Sequence, residues 1–268
     1  MNITVGKPNA ISEKGGRLNN EDFISPPPEA VSTMQRLFLV CDGVGGAEKG
    51  EIASTLACES IRTFFDSFLE EENPSYDFIQ KALQYTESRF DEYILTHPQA
   101  KGMATTLTLL YLGSEGVTIA HIGDSRIYQF REGKIINKTE DHSLVNSLYK
   151  LGKITYEEML VHPQKNVITR AIQGSERPTE AEVILLRDIQ PGDDFFMCTD
   201  GVLECFSDES LALLFAQKYP SDKVKDIIVE TCGSKAKDNY SFYHIPVDNV
   251  HQYISVKQNI LSFLYTFI

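Results

Sequence analysis

Cysteine is scarce in this chain and does not pair by spacing: Cys41, Cys58, Cys198, Cys205 and Cys232 are odd in number and include no Cys-x-x-Cys. A disulfide framework and a zinc knuckle are thereby excluded, and the thiols read as core residues of a reducing compartment. Positive charge is in deficit as well. Against 38 Asp and Glu stand only 25 Lys and Arg, a formal net charge of −13. This balance disfavours nucleic acid, and none is expected as a partner, because its phosphates are bound by clustered cations. Long apolar runs are missing: no segment approaches the ~20 residues of a spanning helix. The opening MNITVGKPNAISEKGG also lacks the apolar core of a secretory signal. The expected location is the cytoplasm, with no membrane span. The six histidines, His97, His121, His142, His162, His244 and His251, form no His-x-x-x-His pair, so their spacing disfavours zinc, and each reads as a surface or core residue.

What is present is enough apolar material for a sizeable core, with 42% hydrophobic residues among 268. Arg36–Cys41, a nearly continuous apolar run closed by Asp-Gly, predicts a strand buried on both faces. Apolar residues from Ile52 to Phe68 and from Ile79 to Ile94 recur at helical spacing, broken at Asn73-Pro74, and predict an antiparallel helix pair lying on a sheet. Strands are predicted at 105–112, 117–121, 126–131 and 134–137, joined by short Gly-containing turns that make neighbours antiparallel. Segment 143–176 is polar and broken by Gly152, Pro163 and Gly174; it predicts an excursion from the sheet carrying one short helix near 156–161. Strands at 181–186 and 194–199 follow, then helices near 209–218 and 222–231, the latter closed by Gly233, and a last strand at 240–247. The fold class is mixed α and β, with meander strands outnumbering parallel crossovers.

Chemistry is concentrated in acidic motifs at the ends of these strands: Asn19-Asn20-Glu21-Asp22, Asp42-Gly43-Val44-Gly45-Gly46, Gly123-Asp124-Ser125-Arg126, Thr199-Asp200-Gly201 and Asp238-Asn239. Each alone is ordinary turn chemistry. Turns do not explain why Phe38-Leu-Val-Cys-Asp42 and Phe195-Phe-Met-Cys-Thr-Asp200 each set a carboxylate just beyond a buried strand, a rigid platform open to solvent. Converging carboxylates repel unless a cation sits among them, and aspartate with water and backbone carbonyl is the ligand set of Mg²⁺ or Mn²⁺. Gly43, without a side chain, lets its carbonyl approach a metal.

In order along the chain, Arg17-x-x-Asn20-Glu21-Asp22, Asp42-Gly43-Val44-Gly45-Gly46, Gly102-Met103-Ala104-Thr105-Thr106 and Gly123-Asp124-Ser125-Arg126-x-Tyr128 resemble the PPM family of metal-dependent serine/threonine protein phosphatases. Asp141-His142-Ser143-Leu144, His162-Pro163-x-x-Asn166-Val167-Ile168-Thr169-Arg170, Thr199-Asp200-Gly201 and Asp238-Asn239 continue the series. The resemblance implies an α+β fold, a four-layer αββα sandwich of two antiparallel β-sheets flanked by helices, with a dinuclear metal site at the strand ends. It spans a phosphatase domain over 1–247, in which 143–176 is the flap. It further implies that Asp42 bridges two Mn²⁺ or Mg²⁺ ions, that the Gly43 carbonyl completes one, and that Asp200 and Asp238 hold the other. Glu21 and Asp22 act through metal-bound waters, Asp124 holds a third, looser ion, and Arg17 binds phosphate with its planar fork. The implied reaction is hydrolysis of phosphoserine and phosphothreonine in proteins by a metal-activated water, with Asp22, Asp42 and Asp200 as the catalytic carboxylates, in signalling that opposes Ser/Thr kinases.

Two departures qualify the resemblance. Val44 stands where many eukaryotic relatives have a histidine, so a candidate general acid is missing and a water near Asp124 is expected to protonate the leaving group. The chain also continues through 248–268, an extension of unknown role. It ends in Ile260-Leu-Ser-Phe-Leu-Tyr-Thr-Phe-Ile268, an uncharged run too short to cross a bilayer and expected to pack on the domain or a partner. A catalytically inactive relative that only binds phosphoproteins would be expected to have lost Asp42, Asp200 or Asp238. A phosphatase dedicated to an anti-sigma antagonist would be expected to carry a sensor domain. The expected state is a monomer.

Overall fold

Burial with a period of two, on both faces, shapes the core. In the strand Leu37–Val44 (β4), Phe38 and Val40 enter one apolar cluster while Leu39 and Cys41 enter another, and all four are fully buried. The strand Asp193–Cys198 (β11) repeats the arrangement, with Phe195 and Met197 on one side and Phe196 and Cys198 on the other. A strand that is apolar on both faces needs cover on both, and each fully buried side chain of this kind stabilises by about 1.5–3 kcal/mol. Four layers result, in the order helices, sheet, sheet, helices. The computed structural model describes residues 1–45, 47–69 and 73–251, without the side chains of Ala47 and Glu48. Gly46 of the Asp42 motif and the apolar run 260–268 therefore lie outside the described residues.

One sheet has the order Asn2–Val5 (β1), Tyr240–His251 (β12), β11, Arg126–Arg131 (β8) and Lys134–Lys138 (β9), with Asn9–Glu13 (β2) also paired to β12. The other runs Glu182–Leu186 (β10), Val117–Ile122 (β7), Leu107–Leu112 (β6), β4 and Asp22–Ser25 (β3), and Ala104–Thr105 (β5) joins the C-terminal end of β4. Every named strand pairing is antiparallel. Helices Ala47–Phe68 (α1) and Tyr76–Thr96 (α2) close the second sheet, packing Ala57, Ile61, Ile79, Leu83 and Phe90 onto it. Pro74 and the Ser75 hydroxyl, which accepts from the Phe78 N–H at 3.2 Å, set the start of α2. Two short helices, Leu144–Lys150 (α3) and Tyr156–Val161 (α4), belong to the excursion, the second opened by a Thr155/Glu158 capping box. Helices Asp200–Leu203 (α5), Asp208–Ala216 (α6) and Ser221–Lys235 (α7) cover the first sheet.

Differences from the sequence expectations have local causes. The strand expected over 105–112 is divided at Thr106, whose N–H and hydroxyl are both bonded to the Asp42 backbone. Gly233 does not close the last helix, which runs two residues further; a glycine inside a helix costs only about 1 kcal/mol and tertiary packing overrides it. The final strand continues past Val247 to His251 because β1 pairs with that end, Asn2 opposite His251. Strands β1 to β3, four or five residues each and partly polar, carry too little periodicity to be expected from sequence. The same holds for α3, a seven-residue helix capped by Ser143.

Candidate active site

The acidic motifs meet where strands of both sheets end. Antiparallel pairing of β3 with β4 sets Asp22 directly opposite Asp42, a juxtaposition of like charges that a sheet tolerates poorly by itself. Asp22 is only 6% exposed. Its Oδ2 accepts a 2.9 Å hydrogen bond from the Thr199 hydroxyl, whereas its buried Oδ1 has no partner. Thr199 is held in turn by the Ser241 N–H at 3.0 Å, and it caps α5, whose first residue is Asp200. The Asp42 backbone is clamped from the other side. Its carbonyl accepts from the Thr105 hydroxyl and the Thr106 N–H, each at 2.9 Å, and its N–H donates to the Thr106 hydroxyl at 3.0 Å.

Asp238 precedes β12 and is brought in by Asn239. The buried Asn239 amide donates to the carbonyls of Lys14 and Asn19 at 2.8 and 2.7 Å and accepts from the Glu21 N–H at 2.8 Å. One side chain thus ties the loop before β3 to the loop before β12. Gly15, at φ 56°, lies so close to the Asp238 carbonyl that any Cβ would overlap it. Gly43 is glycine for a packing reason as well as a chemical one: a Cβ there would overlap the Gly50 backbone of α1. Gly50 in turn faces the Gly43 carbonyl and the Glu21 carboxylate, which puts these two oxygens side by side. Arg17 sits at the rim, 56% exposed, with Nη2 on the Asp238 carboxylate at 2.5 Å.

Electrostatics link the same residues. Burial first, and then Asp22, Asp200, Asp124 and Asp238, push the Asp42 carboxyl well above its usual range. Burial, opposed by hydrogen bonds from Ser241 and Thr199, leaves Asp22 at about 7. Asp124 is raised to about 8 by burial and by Asp200 and Asp141, and Asp200 to about 6 by burial and Asp238. Glu21 is raised by burial, with Arg17 opposing. Aspartates contributed by five separate chain segments therefore repel one another within one partly dry site.

The protein phosphatase 2C family profile matches residues 15–236. This chain belongs to the protein phosphatase 2C family. Serine/threonine protein phosphatase PstP of Mycobacterium tuberculosis is 34% identical over 207 residues, 75% of this chain, and the chain spans 37% of that protein's length. A putative protein phosphatase 2C-type protein of Streptococcus pyogenes serotype M6 is 32% identical over 216 residues, 80% of this chain and 85% of its own. Among solved structures, the M. tuberculosis PstP/Ppp phosphatase superposes with a TM-score of 0.79 at 28% identity, covering 91% of this chain and all of that one. The PstP catalytic domain in complex with two manganese ions gives 0.75 at 27% identity over 91% of this chain and 99% of that one. The two antiparallel sheets flanked by helices are the fold of these phosphatases.

In this protein phosphatase 2C family member the residues around the carboxylates fit a hard divalent cation. An orphaned, buried carboxylate oxygen on Asp22, a direct Asp22–Asp42 pair and mutually raised carboxyls are what an oxygen-lined cation site leaves when only its ligands are considered. Thr105, Thr106, Thr199 and Asn239, which hold the carboxylates, escaped the sequence analysis as functional residues. Their signal was position alone, each within a short motif but without a titratable group. Arg126, beside Asp124, engages Asp141 through two bonds of 2.6 and 2.7 Å and reaches Asp208 at 3.2 Å, fixing the loop after β9 and the start of α6. The 143–176 excursion is stitched to the same frame: Thr105 and Ile172 exchange backbone hydrogen bonds at 3.0 and 2.8 Å, beside the Asp42 clamp. An open cleft of about 540 Å³ lies at the end of the 143–176 excursion, lined in part by Arg170, Gln173 and Arg177, and includes none of the five aspartates. Val44 is 38% exposed at the end of β4.

Proposed function

We propose that the chain hydrolyses phosphoserine and phosphothreonine in proteins, opposing Ser/Thr kinases, with two Mn²⁺ or Mg²⁺ ions held by Asp42, the Gly43 carbonyl, Asp200 and Asp238, and a looser third at Asp124. The observation that carries this reading is the convergence of Asp22, Asp42, Asp124, Asp200 and Asp238 at strand ends within a protein phosphatase 2C fold. Such ions, when bound, supply Lewis acidity toward phosphoryl oxygens and lower the pKa of water. The chain supplies position. Thr199 and Ser241 hold Asp22, Thr105 and Thr106 hold Asp42, and Asn239 holds the turn of Asp238, so that little reorganisation is needed as charge develops on the phosphoryl group. Val44 offers no proton, so protonation of the departing alkoxide falls to water beside Asp124. The reading as an inactive binding protein has no support, since every carboxylate of the set is present.

The test is phosphate release from a phosphothreonine peptide by the purified chain. Release is expected with Mn²⁺, less with Mg²⁺, and none after EDTA; full activity in excess EDTA, or none with either ion, would remove the reading.

Arg17 has a second task in this scheme. Its contact with Asp238 uses one of five guanidinium donors, and a cation held by Asp238 would weaken that contact and leave the fork for two phosphate oxygens. Arg17→Ala is expected to raise KM about tenfold with little change in thermal stability, and Arg17→Lys to recover it only in part. Unchanged kinetics in both variants would return Arg17 to surface solubility.

A further inference from the structure

A second cluster of ligand atoms lies beside the aspartates and is chemically unlike them. His121, His142 and Glu182 bring three such atoms within 4.8 Å of one another. Glu182 on β10 is the direct cross-strand partner of His121 on β7, so the antiparallel register sets both on one face. His142, from the loop after β9, stacks its ring on His121 with centroids 4.4 Å apart and planes 19° from parallel. The spacing along the sequence gave no sign of this; the two histidines meet only because the chain returns.

Hydrogen bonding shows which nitrogens are available. The His121 Nε2 faces the Glu140 carbonyl at 2.9 Å, so that nitrogen carries the proton and Nδ1 presents a lone pair. Nδ1 is buried without a partner in a residue 1% exposed, and the His142 Nε2 is likewise buried and unpartnered. His142 Nε2 lies 3.6 Å from the Glu182 carboxylate, too far for a hydrogen bond. It is close to the roughly 3.3 Å that separates two ligands on one tetrahedral ion with bonds of about 2.0 Å. Burial keeps both rings neutral: it lowers the His121 pKa and, with His121 and Arg170, brings His142 down to about 4, with the His142 proton on Nε2 because Nδ1 accepts from the Gly123 N–H.

We propose that His121 Nδ1, His142 Nε2 and the Glu182 carboxylate form a one-ion site for a borderline transition metal of the zinc class, separate from the aspartate centre. Two imidazoles and one carboxylate favour Zn²⁺ or Co²⁺ over Mg²⁺ or Mn²⁺, the reverse of the all-oxygen set. Glu182 is 47% exposed on the edge strand of its sheet, which leaves a route for entry and a fourth position for water. Ligation through Nε2 moves the His142 ring proton to Nδ1, which now accepts from the Gly123 N–H at 3.2 Å. That N–H must turn away, and Gly123 directly precedes Asp124. Occupancy of the site therefore acts on the turn that carries Asp124.

The test uses the full chain with its aspartate centre saturated by excess Mg²⁺, titrated with Zn²⁺ by calorimetry and with Co²⁺ by visible absorption. One Zn²⁺ equivalent that Mg²⁺ does not displace is expected, with a tetrahedral Co²⁺ spectrum and Zn²⁺-induced ¹⁵N shifts at His121 Nδ1 and His142 Nε2. Glu182→Gln, on an exposed edge, is expected to weaken that equivalent at least about tenfold and His142→Asn to remove it, while Asp42→Asn leaves it intact. No Mg²⁺-resistant equivalent, one indifferent to both Glu182→Gln and His142→Asn, or one lost with Asp42→Asn overturns the proposal, and the three groups are then bridged by a water.

Discussion

Asp42→Asn is expected to abolish phosphate release, by on the order of a thousandfold or more, the scale of losing a principal electrostatic stabiliser. Asp42 is repelled by Asp22, Asp200, Asp124 and Asp238 together, so its charge is the one most widely shared across the site. Asp124 interacts chiefly with Asp200 and Asp141, at the side of the site that Arg126 frames. Asp124→Ala is therefore expected to lower turnover while leaving two inner Mn²⁺ sites titratable, whereas Asp42→Asn loses the tight sites. A further readout separates this from general damage. Removing one carboxylate from a repelling, desolvated group should make metal-free Asp42→Asn more stable than the parent at alkaline pH, even as Mn²⁺ ceases to stabilise it. Calorimetric titration and thermal melts check both variants; equal loss of tight sites in each, or normal turnover in Asp42→Asn, would overturn the assignment.

The second expectation concerns pH. Metal-free protein should lose stability as pH rises from about 6.5 to about 8.5, the reverse of ordinary carboxylate behaviour. The aspartates have folded-state pKa values raised above the unfolded value of about 3.9, so their stabilising protons are fully present below that value and are lost as pH climbs through about 6 for Asp200, 7 for Asp22 and 8 for Asp124. Asp42 continues in the same direction. His121 and His142 act oppositely, because their lowered pKa values add stability as pH rises toward 6.5, and they are neutral in both states above it. Between pH 6.5 and 8, Asp124 alone contributes a loss of about 2 kcal/mol, enough to lower the melting temperature by roughly 5 °C. Saturating Mg²⁺ holds the carboxylates ionised and should flatten the trend. Melts in EDTA across this range check it; a metal-free protein as stable at pH 8.5 as at 6.5 would contradict the electrostatic reading of the site.

How much of this was legible depended on how local each signal is. Helices α1 and α2 have apolar residues at helical spacing and a Pro74 break, and strands β4 and β11 are apolar runs closed by an acidic turn, so their identity is written within each segment. Strands β1 to β3 are legible only as partners: β1 exists because β12 runs on to His251, and β3 because β4 offers it an edge. The acidic motifs were visible as motifs, yet the scaffold around them was not. Nothing near Asn239 in sequence reveals that its amide bridges Lys14, Asn19 and Glu21.

The sequence by itself determined the layered α and β composition, the placement of carboxylates beyond buried strands and the hard-oxygen character of the set. These follow from periodicity and from the donor chemistry of side chains, which do not depend on what lies across the fold. Only the tertiary structure decided which carboxylates face one another, that Asp22 stands opposite Asp42, and that Arg17 rests on Asp238. It alone brought His121, His142 and Glu182 within reach of one ion. Register between strands distant along the chain is fixed by the summed burial of both faces and not by any one motif, so contacts across it cannot be read from residues taken in order.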